Sequence, residues 1–107
     1  MTTVGAMGAK LVVLYGTPDD AAAFDAHYRD VHAPLVENLP GLERWSSAKF
    51  VGAADKGDLP YHRIVELHFA DADALQAAFG SDEGKATAAD YGQIAPSGSR
   101  MFIAVAD

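Results

Sequence analysis

Two stretches of this chain read alike: LVVLYGTPDDAAAF at residues 11–24 and IVELHFADADALQAAF at residues 64–79. Each opens on a β-branched and aromatic run, passes through an acid-rich cap and starts an apolar helix. A repeated unit of strand, cap and helix predicts a split βαβ duplication. Working outward, the first strand covers Lys10 to Gly16. Thr17 is then a natural N-cap, Pro18 suits the first helical position, and Asp19 and Asp20 favour the positive end of the helix dipole. Residues 1–8 are small and aperiodic, which predicts a flexible N-terminal tail ahead of one domain over residues 9–107.

The first helix is predicted from Pro18 to about Asn38. At about 100° per residue, Phe24, Tyr28, Val31, Leu35 and Leu39 fall on one apolar stripe. Pro34 lies inside it, removes a backbone hydrogen bond and predicts a bend or local opening near His32 and Ala33. Pro40-Gly41 ends the helix. Residues 43–52 read as a second strand, residues 53–60 as a polar hairpin loop and Tyr61–Phe69 as a third strand. Alternation puts Arg63, Val65, Leu67 and Phe69 on one face of that strand, and His62, Ile64, Glu66 and His68 on the other. Asp71 caps a second helix carrying Leu75 and Phe79, Gly80-Ser81 breaks it, and residues 82–92 form a further helical piece. Arg100–Ala106 is the last strand. The order βαββαβ predicts an α+β, ferredoxin-like domain whose four-stranded antiparallel sheet has its helices on one face. A second copy of the same sheet is the simplest cover for the other face, so a homodimer is expected.

Composition narrows the function classes. At 107 residues the chain fits one domain, with little spare core for a deep private pocket. A net charge of −7 disfavours nucleic acid and anionic membranes as partners. The longest apolar run, Leu11 to Tyr15, is far too short to span a bilayer. The absence of cysteine excludes disulfides, thiolate nucleophiles and Cys-type zinc sites. Nothing at the N-terminus reads as a signal peptide, and a cytoplasmic location is expected.

The segment Tyr28-Arg29-Asp30-Val31-His32-Ala33-Pro34-Leu35, followed by Leu39-Pro40-Gly41-Leu42, resembles the EthD family. The strand Tyr61–Phe69 with the following Ala70-Asp71-Ala72-Asp73-Ala74-Leu75 fits the same family, and the resemblance spans roughly residues 9–106. It implies a dimeric α+β barrel, two ferredoxin-like units packed sheet to sheet. It also implies kinship with muconolactone isomerases, cofactor-free monooxygenases and small polyketide cyclases. The family takes its name from ethyl tert-butyl ether degradation, and its members are often described as oxidoreductases.

Two groups of residues could carry chemistry. His32 lies one helical turn after Tyr28, so the side chains can be neighbours. A neutral imidazole beside a phenol could take a proton from an acidic C–H or O–H. The alternative is that His32 packs at the edge of the stripe and Tyr28 belongs to the core. His62, Glu66 and His68 share the face that would lie between two sheets, where Glu66 and His68 could act as an acid/base pair. The alternative there is a half-wet interface in which Glu66 pairs with Arg44, Arg63 or Arg100. Phe24, Ile64, Trp45, Tyr15 and His62 are the candidate substrate contacts. His32, Glu66 and His68 are suitable metal-ligand types, but no element carries a tight histidine pair, because His27 and His32 stand five apart and should point to different sides. Neither a metal nor a cofactor is expected.

The expected function is binding of a small, mostly apolar carbonyl or phenolic metabolite. Cofactor-independent proton transfer, isomerisation or oxygenation in a catabolic or secondary-metabolite pathway would follow. The alternative is a non-catalytic metabolite-binding or accessory module for a partner oxidase.

Overall fold

The computed structural model describes residues 8–107, so all of the expected tail except Gly8 lies outside the described residues. Strand β1 (Ala9–Gly16) leads into helix α1 (Ala21–His27), a π-helical turn (Tyr28–His32) and helix α2 (Ala33–Glu37). Strands β2 (Arg44–Lys49) and β3 (Tyr61–Phe69) form a hairpin. Helices α3 (Ala72–Gly80) and α4 (Asp82–Ile94) and strand β4 (Arg100–Val105) complete the chain. The sheet order is β2-β3-β1-β4, antiparallel throughout, which is the α+β, ferredoxin-like arrangement.

Register divides the sheet into two faces. Val13 stands opposite Val65 and Met101, and Leu11 opposite Leu67 and Ile103. These residues point toward the helices. Tyr15, Val65, Leu67 and Phe69 are buried there with Phe24, Tyr28, Val36 and Leu75. The other face carries Val12 between Glu66 and Phe102, with Lys10 beside His68. Phe102 keeps close to half of its surface exposed. Open sheet edges and open faces invite pairing, and none of the helices among the described residues covers this face.

Local details depart from the simple reading. The first helix is capped by Asp20, whose Oδ1 accepts from Ala23 N at 3.0 Å, rather than by Thr17. Residues 17–20 are spent turning the chain away from the end of β1. The straight stripe is also replaced. Val31 is 44% exposed, whereas His32 and Val36 are buried. The cause is the π turn, in which Ala33 N–H bonds to Tyr28 O, five residues back. That wider turn rotates the following residues relative to an α-helix. The break falls immediately before Pro34, where the missing N–H already weakens the α pattern.

At the hairpin end of the sheet, the β1–β3 register slips between Tyr15 and Gly16, leaving His62 as an extra residue. Such a bulge re-aims side chains. Gly16 fits there because a Cβ would meet Ser97 O at 2.2 Å. Gly84 has a similar spatial role where α4 starts against α3, since a Cβ would lie 2.2 Å from Ala78 O.

Candidate active site

A cavity of about 500 Å³ lies between the sheet and helices α3 and α4. Leu11 and Val13 of β1, with Met101 and Ile103 of β4, form its sheet side. Leu75 and Phe79 of α3 close the opposite side. Tyr15, His32, Thr87 and Tyr91 bring polar atoms to an otherwise apolar wall, with Gln76 in addition. Among the described residues, no lysine or arginine lines it.

His32 is 4% exposed, and its ring is hydrogen-bonded to helix α4. Its Nδ1 lies 2.8 Å from Asp90 Oδ2, and His27 Nε2 lies 2.9 Å from Asp90 Oδ1. Five residues on an α-helix would put these two rings about 140° apart. The π turn between them turns both to α4, which corrects the expectation that they point to different sides. Burial alone would raise the Asp90 carboxyl, but the hydrogen bonds from His27 and His32 outweigh it and hold it below its usual range. Burial pushes the His32 imidazole down, against the pull of Asp90. The pair is thus a carboxylate and a neutral ring, in which Nδ1–H donates to Asp90 and Nε2 keeps its lone pair. Nε2 makes no hydrogen bond among the described residues.

Tyr15 and His32 both line the cavity, with their rings at right angles and centroids 6.4 Å apart. Tyr28 lies beside them, 5.9 Å from each ring, but is not part of the cavity wall. Its hydroxyl is sealed in protein, and the Arg63 guanidinium sits 4.5 Å above its ring. Phe24 packs on Tyr15 and on His62 outside the cavity. Trp45 packs against the core without reaching the cavity.

His62 does not share the open face with Glu66 and His68, as plain alternation predicts. The bulge turns it to the helix side, where Nε2 lies 2.8 Å from Asp25 Oδ1. Arg63 and Lys49 reach the same carboxylate, each at 3.3 Å. On the open face, Glu66 pairs with Lys10 Nζ at 2.9 Å rather than with an arginine, and His68 Nε2 lies 3.7 Å from Glu66 Oε1. The Lys10 hydrogen bond leads in holding the Glu66 carboxyl below its usual range. Glu66, His68 and Ile64 therefore stand on the side of the sheet away from the cavity and His32. Among the described residues, no three His, Asp or Glu side chains gather to hold a metal ion, and no helix is long and apolar enough to cross a membrane.

Asp90 was not apparent as a candidate in the sequence. Its signal is its place in the buried rhythm Gly84, Thr87, Asp90 along α4. An acid in such a series needs a buried partner.

Residues 18–95 match the EthD domain. The chain is 33% identical over 94 residues to an uncharacterized 11.0 kDa protein from the thcB–thcC intergenic region of Rhodococcus erythropolis, covering 88% of this chain and 90% of that protein. A crystal structure of an ethyl tert-butyl ether D family protein from Bacillus halodurans superposes with a TM-score of 0.85 at 36% identity, over 92% of this chain and 97% of that one. The cofactor-independent oxygenase SnoaB from Streptomyces nogalater shares the fold alone, with a TM-score of 0.65 at 14% identity over 91% and 90% of the two chains. With the matched domain covering most of the chain, including the π turn, His32 and Asp90, and with relatives 33% and 36% identical over nearly the whole length, the chain belongs to the EthD family.

Proposed function

We propose that this protein binds a small, mostly apolar carbonyl-bearing or phenolic metabolite in the cavity and performs cofactor-independent proton transfer on it, with His32 as the base. The observation that carries this reading is the Asp90–His32 hydrogen bond at the wall of an apolar cavity. Asp90 fixes the tautomer, leaves Nε2 as the proton acceptor and stabilises the imidazolium once the proton arrives. The low-dielectric surroundings strengthen that interaction.

Isomerisation is the simplest net result of such a step. Oxygenation of the deprotonated ligand by dioxygen is the variant that the fold shared with a cofactor-independent oxygenase supports. Tyr28 serves in this reading as packing behind His32. Glu66 and His68 belong to the interface of a homodimer formed through the open sheet face, in a protein that works in the cytoplasm. The test is native mass spectrometry of small molecules that co-purify with the protein, followed by turnover assays on them. His32→Gln should fold, bind the ligand and fail to convert it. Full turnover by a well-folded His32→Gln protein would end the assignment. A ligand that binds and is never converted would instead point to a carrier for a partner oxidase, which the scarcity of polar groups in the cavity favours as the second reading.

A further inference from the structure

We infer that Tyr15 is the hydrogen-bond donor that works beside His32, and that the cavity takes a neutral, enolisable carbonyl compound with its oxygen toward Tyr15 and its acidic carbon toward His32. The inference rests on the proton-transfer reading above and adds the second catalytic group and the substrate class.

The two tyrosines near His32 differ in what their oxygens can reach. Tyr28 Oη is shut away from open space and Tyr28 is absent from the cavity wall. Tyr15 lines the cavity, and its Oη neither makes a hydrogen bond among the described residues nor counts among the sealed, unpartnered atoms. That oxygen is therefore not sealed as the Tyr28 oxygen is, and in this assignment it faces the cavity that Tyr15 lines. A phenol in such a position, on a residue only 1% exposed, lacks the partner that buried hydroxyls normally find. A ligand oxygen would supply it. Thr87 and Asp90, the polar groups of α4 beside His32, are engaged. Thr87 Oγ1 donates to Glu83 O at 2.8 Å, and the Asp90 carboxylate is taken by both histidines.

Burial, followed by the neighbouring Tyr28, Tyr91 and Asp90, keeps the Tyr15 phenol well above its ordinary range. It stays protonated and donates, so the roles divide: His32 takes a proton and Tyr15 gives a hydrogen bond. The step balances without an oxidant. The α-C–H bond breaks and its proton moves to His32 Nε2. The released pair forms the C=C bond, and the carbonyl π pair moves to oxygen as an enolate. The Tyr15 O–H donates to that oxygen, and Asp90 faces the new imidazolium. Returning the proton to a different carbon gives an isomer; returning it to the same carbon restores the ketone. With no lysine or arginine among the described residues of the wall, a carboxylate or phosphate substituent would enter unpaired, which restricts the substrate to neutral ketones.

The test uses 2-tetralone as the ketone probe and naphthalene as its apolar counterpart. Exchange of the tetralone α-protons in D₂O, followed by NMR, should be accelerated by the full-length protein. Tyr15→Phe should slow the accelerated exchange by about tenfold or more, the loss typical of one hydrogen bond to a charged oxygen. It should leave the melting temperature and the naphthalene affinity unchanged, while His32→Gln abolishes the acceleration. Wild-type exchange rates in Tyr15→Phe would overturn the role of Tyr15 and leave His32 standing. Weakened naphthalene binding or lost folding in Tyr15→Phe would also overturn it, because the hydroxyl would then serve shape or structure. Naphthalene binding without accelerated exchange in the wild-type protein would overturn both this inference and the proton-transfer reading.

Discussion

His32 Nδ1 stands 2.8 Å from Asp90 Oδ2, a bond that joins the π turn to helix α4 across 58 positions of sequence. His27 completes the clasp from the other end of the same turn. A π turn forfeits part of the regular α pattern and persists where something holds it. Here one carboxylate satisfies donors from two histidines that an α-helix would separate.

Replacing Asp90 by asparagine keeps the shape and removes one acceptor, so an NH₂ must face one of the two histidine donors. The expected cost is about 1–3 kcal/mol for the buried group left without its partner. Denaturant titration measures it. Stability equal to wild type would show that the clasp contributes nothing to holding the turn.

The same clasp sets an acid limit. The folded protein holds the His32 imidazole below its ordinary value near 6.5, so the unfolded chain takes up that proton first as pH falls. Stability contributed by neutral His32 is fully present above that value and is lost as pH drops through the lower, folded one. His68, held down chiefly by burial, adds to the same decline. The Asp90 carboxyl, held below 3.8, gives a second loss at lower pH. His32→Gln should therefore flatten, but not remove, the fall in melting temperature between neutral pH and about pH 5. An unaltered slope would mean that His32 is not held neutral by the fold.

Gly84→Ala tests how closely α4 must approach α3. The added methyl would meet the backbone of Ala78 and Phe79 at 2.2–2.8 Å, where neither side can yield without moving a helix. The expected loss is about 1–3 kcal/mol. Because α4 carries Thr87, Asp90 and Tyr91, cavity binding of naphthalene should weaken in parallel. A stable variant with unchanged binding would show that the two helices can separate freely.

These sites differ in how far the sequence reveals them. The alternation from Arg63 to Phe69, the Asp71 cap and the break at Gly80-Ser81 all rest on local chemistry, and the structure follows them. The two departures each insert one residue into a regular period. The bulge carries His62 to the other face, and the π turn exchanges Val31 and Leu35 for His32 and Val36. Periodicity arguments assume an unbroken count, so a single inserted position defeats them. Asp90 escaped notice for another reason: its partners are 58 and 63 positions away, and only tertiary packing brings them together.

The open sheet face predicts a particle of about twice the 11.3 kDa chain mass by light scattering. Val12 sits between Glu66 and Phe102 at the centre of that face. Val12→Glu would add a second carboxylate beside Glu66 and should give monomers. A wild-type mass of one chain would exclude the homodimer.

Strand β4 also has a consequence in time. It pairs with β1 from Ala9 opposite Val105 to Leu14 opposite Arg100, closing a loop that encloses almost all of the described residues. Long loops are slow to close, and their pairing is rewarded only after the entropy has been lost. The hairpin of β2 and β3 and the α3–α4 corner are far more local. The expected order of assembly therefore ends with β4. Until Met101 and Ile103 arrive, Leu11 and Val13 lie along a bare central strand with no ligand chamber to line. Binding competence should appear as the slowest phase of refolding, after helical signal has already returned.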